Sequence, residues 1–281
     1  PQRVNEPEVQ TYAVKNLKKG IEFLEQQFGV KWDWDAFWKN AEMYNESSRC
    51  MIEKWDVNCT EHPQVCGAAL ALQREYEFMA AACMDKFMLK TDRRVTKMML
   101  KGYEQDKAAN APQPKYRCLV WACPAHYYTN FTYWTQHCWG VTCVNDMEAM
   151  LSYQPITIGD KEQALADLVR CYEKMMMRSH TNGGYVNLLD ECWKMCEKFH
   201  TNIVIMYDHV SCKNVGGLHG LFEDQARERG IHLIWIPHDV MDPRTVSRRE
   251  MREAFSQYMV TVLNEKPLDP TLLDYEDTLS W

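Results

Sequence analysis

The sequence predicts an α/β protein, a helical N-terminal region followed by a parallel sheet of about four strands. Two observations carry that expectation. In the first 110 residues apolar side chains recur at steps of three and four, the period of a helix with one buried face. Beyond Pro114 they gather into four short continuous runs separated by helical stretches, as a parallel sheet covered on both faces requires. Between the two patterns, Ala111-Pro112-Gln113-Pro114 is the clearest break in the chain, because prolines cannot continue a helix.

Residues 1–110 form the helical region. Val14, Leu17, Ile21, Leu24 and Phe28 line one helix face, and Gly29 is placed to stop it. Trp32, Trp34, Phe37 and Trp38 make an aromatic cluster, and the helical pattern resumes from Ala41 to Trp55, from Gln64 to Leu89 and from Arg93 to Tyr103. Residues 115–264 form a Rossmann-like or flavodoxin-like α/β domain. Its strands are Cys118–Cys123, Val141–Val144, Asn202–Tyr207 and His232–Ile236. The connecting helices carry Leu165, Leu168, Tyr172 and Met175, then Leu189, Cys192, Cys196 and Phe199, then Leu218 to Arg229, and Arg249 to Leu263. Residues 265–281 are an acidic tail punctuated by proline. Its Leu272, Leu273, Tyr275 and Trp281 suit a docked segment better than a free one.

Composition excludes several classes. The chain has 281 residues and a net charge of −7, and its basic residues never run beyond pairs such as Arg93-Arg94, so it is not expected to track a phosphate backbone. No apolar stretch of about 18 residues predicts a membrane span, and no basic-then-apolar leader follows residue 1. The 12 cysteines are scattered along helical stretches, not spaced as in a small disulfide-stapled fold, which points to a reducing compartment. The first residue is Pro, and the numbered sequence is expected to begin inside a longer gene product.

Ligands of an open parallel sheet bind beyond the carboxyl ends of its strands. Those positions hold Cys123-Pro124-Ala125-His126, Asn145-Asp146-Met147, the stretch Asp208-His209-Val210-Ser211-Cys212-Lys213-Asn214, and Pro237-His238-Asp239. Cys212 is the sharpest candidate. It follows a strand and precedes Gly216-Gly217, where helix amides would stabilise a thiolate and the glycines would admit a cluster or phosphate. The alternative is a small buried filler. Cys192 and Cys196, four apart on a helix, alternate with Leu189 and Phe199 and read as core, as do Cys118 and Cys171. From Cys118 to Asn145 there is no charged Asp, Glu, Lys or Arg. The aromatics there are either a buried strand and helix or a pocket wall with His126 and His137 as its polar points. The loop His180-Thr181-Asn182-Gly183-Gly184 has no claim beyond its location. C-x-x-C pairs, a nucleophile elbow, a Walker loop and a G-x-G-x-x-G fingerprint are all missing.

Several of these segments together resemble one family. They are Tyr116-Arg117-Cys118-Leu119-Val120, Asn145-Asp146-Met147, His209-Val210-Ser211-Cys212-Lys213-Asn214, Gly230-Ile231-His232-Leu233-Ile234, and His238-Asp239-Val240-Met241-Asp242-Pro243-Arg244. They are similar to the carboxy-terminal part of the 2-hydroxyacyl-CoA dehydratase and benzoyl-CoA reductase family, and Leu17 to Trp38 resembles its mid-chain region. The resemblance implies a cytoplasmic enzyme of anaerobes built from two related subunits with 4Fe-4S type iron–sulfur clusters on cysteine thiolates. An ATP-dependent activator protein feeds electrons singly, and an (R)-2-hydroxyacyl-CoA loses its 2-hydroxyl and a C3 proton. In the reductase branch an aromatic acyl-CoA is reduced instead, and a non-catalytic scaffold subunit is the competing class. By this resemblance Cys212 matches a cluster ligand; from their places at the strand ends, Gly216 and Gly217 are then expected beside the cofactor and His126, Asp208, His209 and Lys213 around the substrate. The family's other cluster cysteines lie in an upstream α/β domain, which the numbered sequence does not show before its helical region.

Overall fold

A computed structural model describes residues 7–66, 86–147, 154–173 and 184–274. Most of the predicted Gln64–Leu89 stretch, most of the His180 loop, Met175, Tyr275 and Trp281 lie outside the described residues. The elements run α1 (Pro7–Phe28), α2 (Trp34–Asn58), α3 (Lys86–Ala108), β1 (Tyr116–Trp121), α4 (Phe131–Trp139), β2 (Val141–Asp146) and α5 (Lys161–Glu173). They continue with α6 (Tyr185–Lys198), β3 (Ile203–His209), α7 (Lys213–Gly216), α8 (His219–Arg229), β4 (His232–His238) and α9 (Arg248–Thr261). The fold is α/β, helical first and then alternating. The predicted Gly29 stop holds: α1 ends at Phe28 and Gly29 takes a φ of 64°. Among the described residues no helix is long and apolar enough to cross a membrane.

The four strands are all parallel, in the order β2-β1-β3-β4. β2 is buried along its whole length and β3 along its first five residues, the pattern of strands covered on both faces. The chain moves outward from β1 to β2 and then crosses back to β3, so the winding reverses between β1 and β3.

Compactness divides the chain into two units, one of residues 1–53, 79–97 and 151–190, the other of residues 54–78, 98–150 and 191–281. In the first, α1 packs on α5 and Lys18 pairs with Glu162 at 2.5 Å. Asn45 exchanges two hydrogen bonds with the backbone of Ile156, 2.7 and 2.8 Å, beside a small core of Ala41, Ile156 and Ala164.

The second unit holds the sheet. Phe131 of α4 touches Tyr207 of β3 and Phe255 of α9, while Trp193 of α6 meets Phe222 of α8 edge-on. Residues 54–66 belong here because their backbone is tied to the sheet. Arg117 donates to the carbonyls of Asn58, Thr60 and Phe199, and the Asn58 amide donates to Val144. Helix α9 opens on a capping box in which Ser247 Oγ accepts from the Glu250 amide and Glu250 accepts from the Ser247 amide. Residues 265–274 lie against β1 and α4. Glu265 accepts from Tyr116 Oη at 2.6 Å, Leu268 N donates to Cys138 O at 2.7 Å, and Trp134 Nε1 donates to Leu272 O at 2.9 Å. At the end of α4 Gly140 is left-handed, and a β-carbon there would meet Leu268 Cδ1 at 3.0 Å.

Candidate functional site at the carboxyl edge of the sheet

The strand order places the reversal at the carboxyl ends of β1 and β3, where an open α/β sheet opens a crevice. β1 leaves the sheet through Ala122, whose φ of 64° is costly for a residue bearing a β-carbon. That turn delivers Cys123, half-buried, with Sγ 3.8 Å from His126 Nε2. The loop is pinned to the one after β4 by a hydrogen bond from His126 N to Val240 O, 2.9 Å.

β3 ends in Asp208 and His209, and alternation sends their side chains to opposite faces. His209 lies with Tyr207 on the face of Phe131. Its ring crosses that of His238 at 5.5 Å, and its Nδ1 accepts from Ser211 N at 3.0 Å. His238 is fully buried, with its ring set against the backbone of Cys123 and Asp208. Burial pushes its pKa down to about 4, against an upward pull from the Cys123 backbone that exceeds the further push from His209. Asp208 lies on the other face, where its Oδ2 is 3.3 Å from Nε2 of His219. The residues predicted to share one crevice are thus divided between the two faces of the sheet.

Cys212 is half-buried. Its amide donates to His209 O at 2.9 Å and its carbonyl accepts from Gly216 N. It heads only the four-residue α7, not the longer helix the sequence predicted at Gly216-Gly217; that helix, α8, begins at His219. Neither glycine is left-handed. A β-carbon on Gly216 would project into open space, and one on Gly217 would touch Lys213 O at 3.0 Å. The Lys213 side chain is exposed at the rim. After β4, Asp239 accepts from the amides of Met241 and Asp242, both 2.8 Å, which holds its carboxyl below the usual range. The Arg244 fork brings Asp242 to about 2.

The other cysteine readings resolve clearly. Cys192 and Cys196 are buried in α6 and Cys118 is buried in β1, while Cys171 is half-buried with Sγ 2.6 Å from Tyr44 Oη. The aromatic stretch is core: Tyr128, Phe131, Trp134 and Trp139 are buried, and His137 is exposed against Tyr133. An iron–sulfur cluster needs several thiolates. Among the described residues no group of three or more His, Cys, Asp or Glu could hold a metal ion, and every cysteine is a free thiol. The described residues alone do not fit a cluster; Cys212 offers one soft ligand at the edge.

Fold and edge define an α/β protein with a topological switch point beside the candidate site. Its membership is narrower than that. The family described as 2-hydroxyglutaryl-CoA dehydratase, D-component, matches residues 1–259, and the chain belongs to it. Comparison with curated proteins finds no match.

Proposed function

We propose that this chain is a subunit of an enzyme that eliminates water from an (R)-2-hydroxyacyl-CoA. The observation that carries the reading is the family match over residues 1–259. The position of Cys212 just past β3, next to the reversal in strand order, agrees with it. Cys212 would offer one thiolate to an iron–sulfur centre, whose other ligands the described residues do not supply. Such a centre would provide single electrons for the thioester. This chain's own part is to line the sheet edge near the acyl group, His209 from one face and Asp208 from the other with His126 and Lys213 in the segments after β1 and β3, to keep Gly216 clear of side-chain bulk, and to handle protons. A related sister subunit and an ATP-dependent activator complete the system, in the cytoplasm.

The test uses the protein purified anaerobically with its sister subunit. Cys212→Ser keeps the shape but replaces a soft ligand with a poor one, so iron per chain and turnover of a 2-hydroxyacyl-CoA with activator and ATP should fall together while the melting midpoint holds. Wild-type iron and rate in the Ser variant would return Cys212 to the ordinary cysteines. A wild type that reduces an aromatic acyl-CoA and dehydrates nothing would move the chain to the reductase branch, and one that does neither would make it a scaffold.

A further inference from the structure

On the face of the sheet away from His238, three side chains form an arrangement that no sequence motif announced. The Trp235 indole is held by its own donation from Nε1 to Glu223 Oε1, 3.1 Å, and by an edge contact with Phe222. His219, the first residue of α8, stacks on that indole at 3.6 Å with the planes 19° apart. The stack fixes the imidazole plane and points Nε2 at Asp208 Oδ2, 3.3 Å away, a charge-pair contact not aligned as a hydrogen bond. Nε2 is buried, yet the His219 side chain keeps 38% of its surface exposed, and Nδ1 is neither buried nor hydrogen-bonded among the described residues. An imidazole with one nitrogen against a carboxylate and the other open is the arrangement that readies a ring for proton transfer, and catalytic contacts of this kind are often loose until substrate arrives.

We infer that Asp208 and His219 are a proton-transferring dyad, with His219 Nδ1 the atom that carries the proton of the elimination. The inference rests on the dehydratase reading. Loss of water from a 2-hydroxyacyl thioester breaks the C3–H and C2–O bonds and forms the C2=C3 double bond, with no net oxidation. Hydroxide leaves C2 with the C–O electron pair, Nδ1 then takes the proton from C3 while the C3–H electron pair enters the C2=C3 double bond, and the imidazolium passes that proton to the released hydroxide, giving water. Asp208 stabilises the imidazolium and holds the Nε2–H tautomer, so Nδ1 starts free. Activation of the two bonds is not supplied by these side chains.

Two measurements separate the dyad from the reading beneath it. Nitrogen-15 NMR of the histidine rings in the wild-type complex, in alkaline buffer where they are neutral, should show His219 with hydrogen on Nε2, and Asp208→Asn should mix the tautomers. Hydrogen on Nδ1 in the wild type would overturn the dyad whatever the enzyme does. In turnover of a 2-hydroxyacyl-CoA, His219→Gln should lower kcat about 10²–10⁴-fold with KM little changed and iron content intact. Added imidazole should restore part of the rate in His219→Gly. A His219→Gln enzyme at wild-type kcat overturns the proton role. A wild type without turnover overturns the dehydratase reading, and the NMR result still decides the dyad.

Discussion

His238 shows what burial does to a single ionisable residue. With its ring closed off from water, its pKa falls from the ordinary 6.5 to about 4. An unfolded chain would accept a proton at the ordinary value that the native chain refuses, so stability is lost as pH drops from 6.5 towards 4 and levels off below. The loss should be on the order of 3 kcal/mol. Urea unfolding across that range should show a shallower acid branch for His238→Phe than for wild type, and equal slopes would mean that another group carries the acid sensitivity. At this scale the sequence located the strand end that carries Asp208 and His209, with Cys212 just beyond it. It was silent at His219, because the stack on Trp235 depends on the register that sets Trp235 beside Met206, two residues before Asp208. The left-handed Ala122 was hidden for another reason: only glycine advertises that conformation, as it does at Gly29, Gly140 and Gly230.

Elements were legible to the extent that their apolar period was clean. The strands were found because continuous runs bounded by polar residues have one cheap solution, a strand buried on both faces. Helix α2 was harder. It starts at Trp34, not at Ala41, because the density of Trp34, Phe37 and Trp38 masks the helical spacing until their rings are seen packed 5.1–5.5 Å apart. Helix α9 carries its own start signal, Ser247 with Glu250 three residues on. Ser247→Ala removes the acceptor for the Glu250 amide and should cost about 1 kcal/mol, read as a lower urea midpoint at unchanged slope. A midpoint within error of wild type would show that Glu250 and water cap the helix well enough alone.

At the scale of the whole molecule, the sequence marked where helices give way to strands, but not which stretches share a compact unit. That depends on long-range ties such as Arg117 to Thr60 and Asn58 to Val144. The strand order also sets a timetable for folding. β1 and β2 are joined by one short helix, as are β3 and β4 apart from the α7 turn, so each pair can form locally; β1 finds β3 only after the chain has run through residues 151–190 of the other unit. Closing so long a loop costs entropy before any contact is gained, so this seam should close late. Asn202 probes it directly, since its Oδ1 accepts from Arg117 N at 2.9 Å while its own amide donates to Arg117 O. Asn202→Ala should speed unfolding and leave the folding rate nearly unchanged, whereas Val141→Ala in β2 should slow folding. A slowed folding rate in Asn202→Ala would put the seam in the transition state. Late closure means that the edge carrying Cys123 and Cys212 does not exist in a half-folded chain: a ribosome must release β3 before there is a place for a cofactor to be delivered.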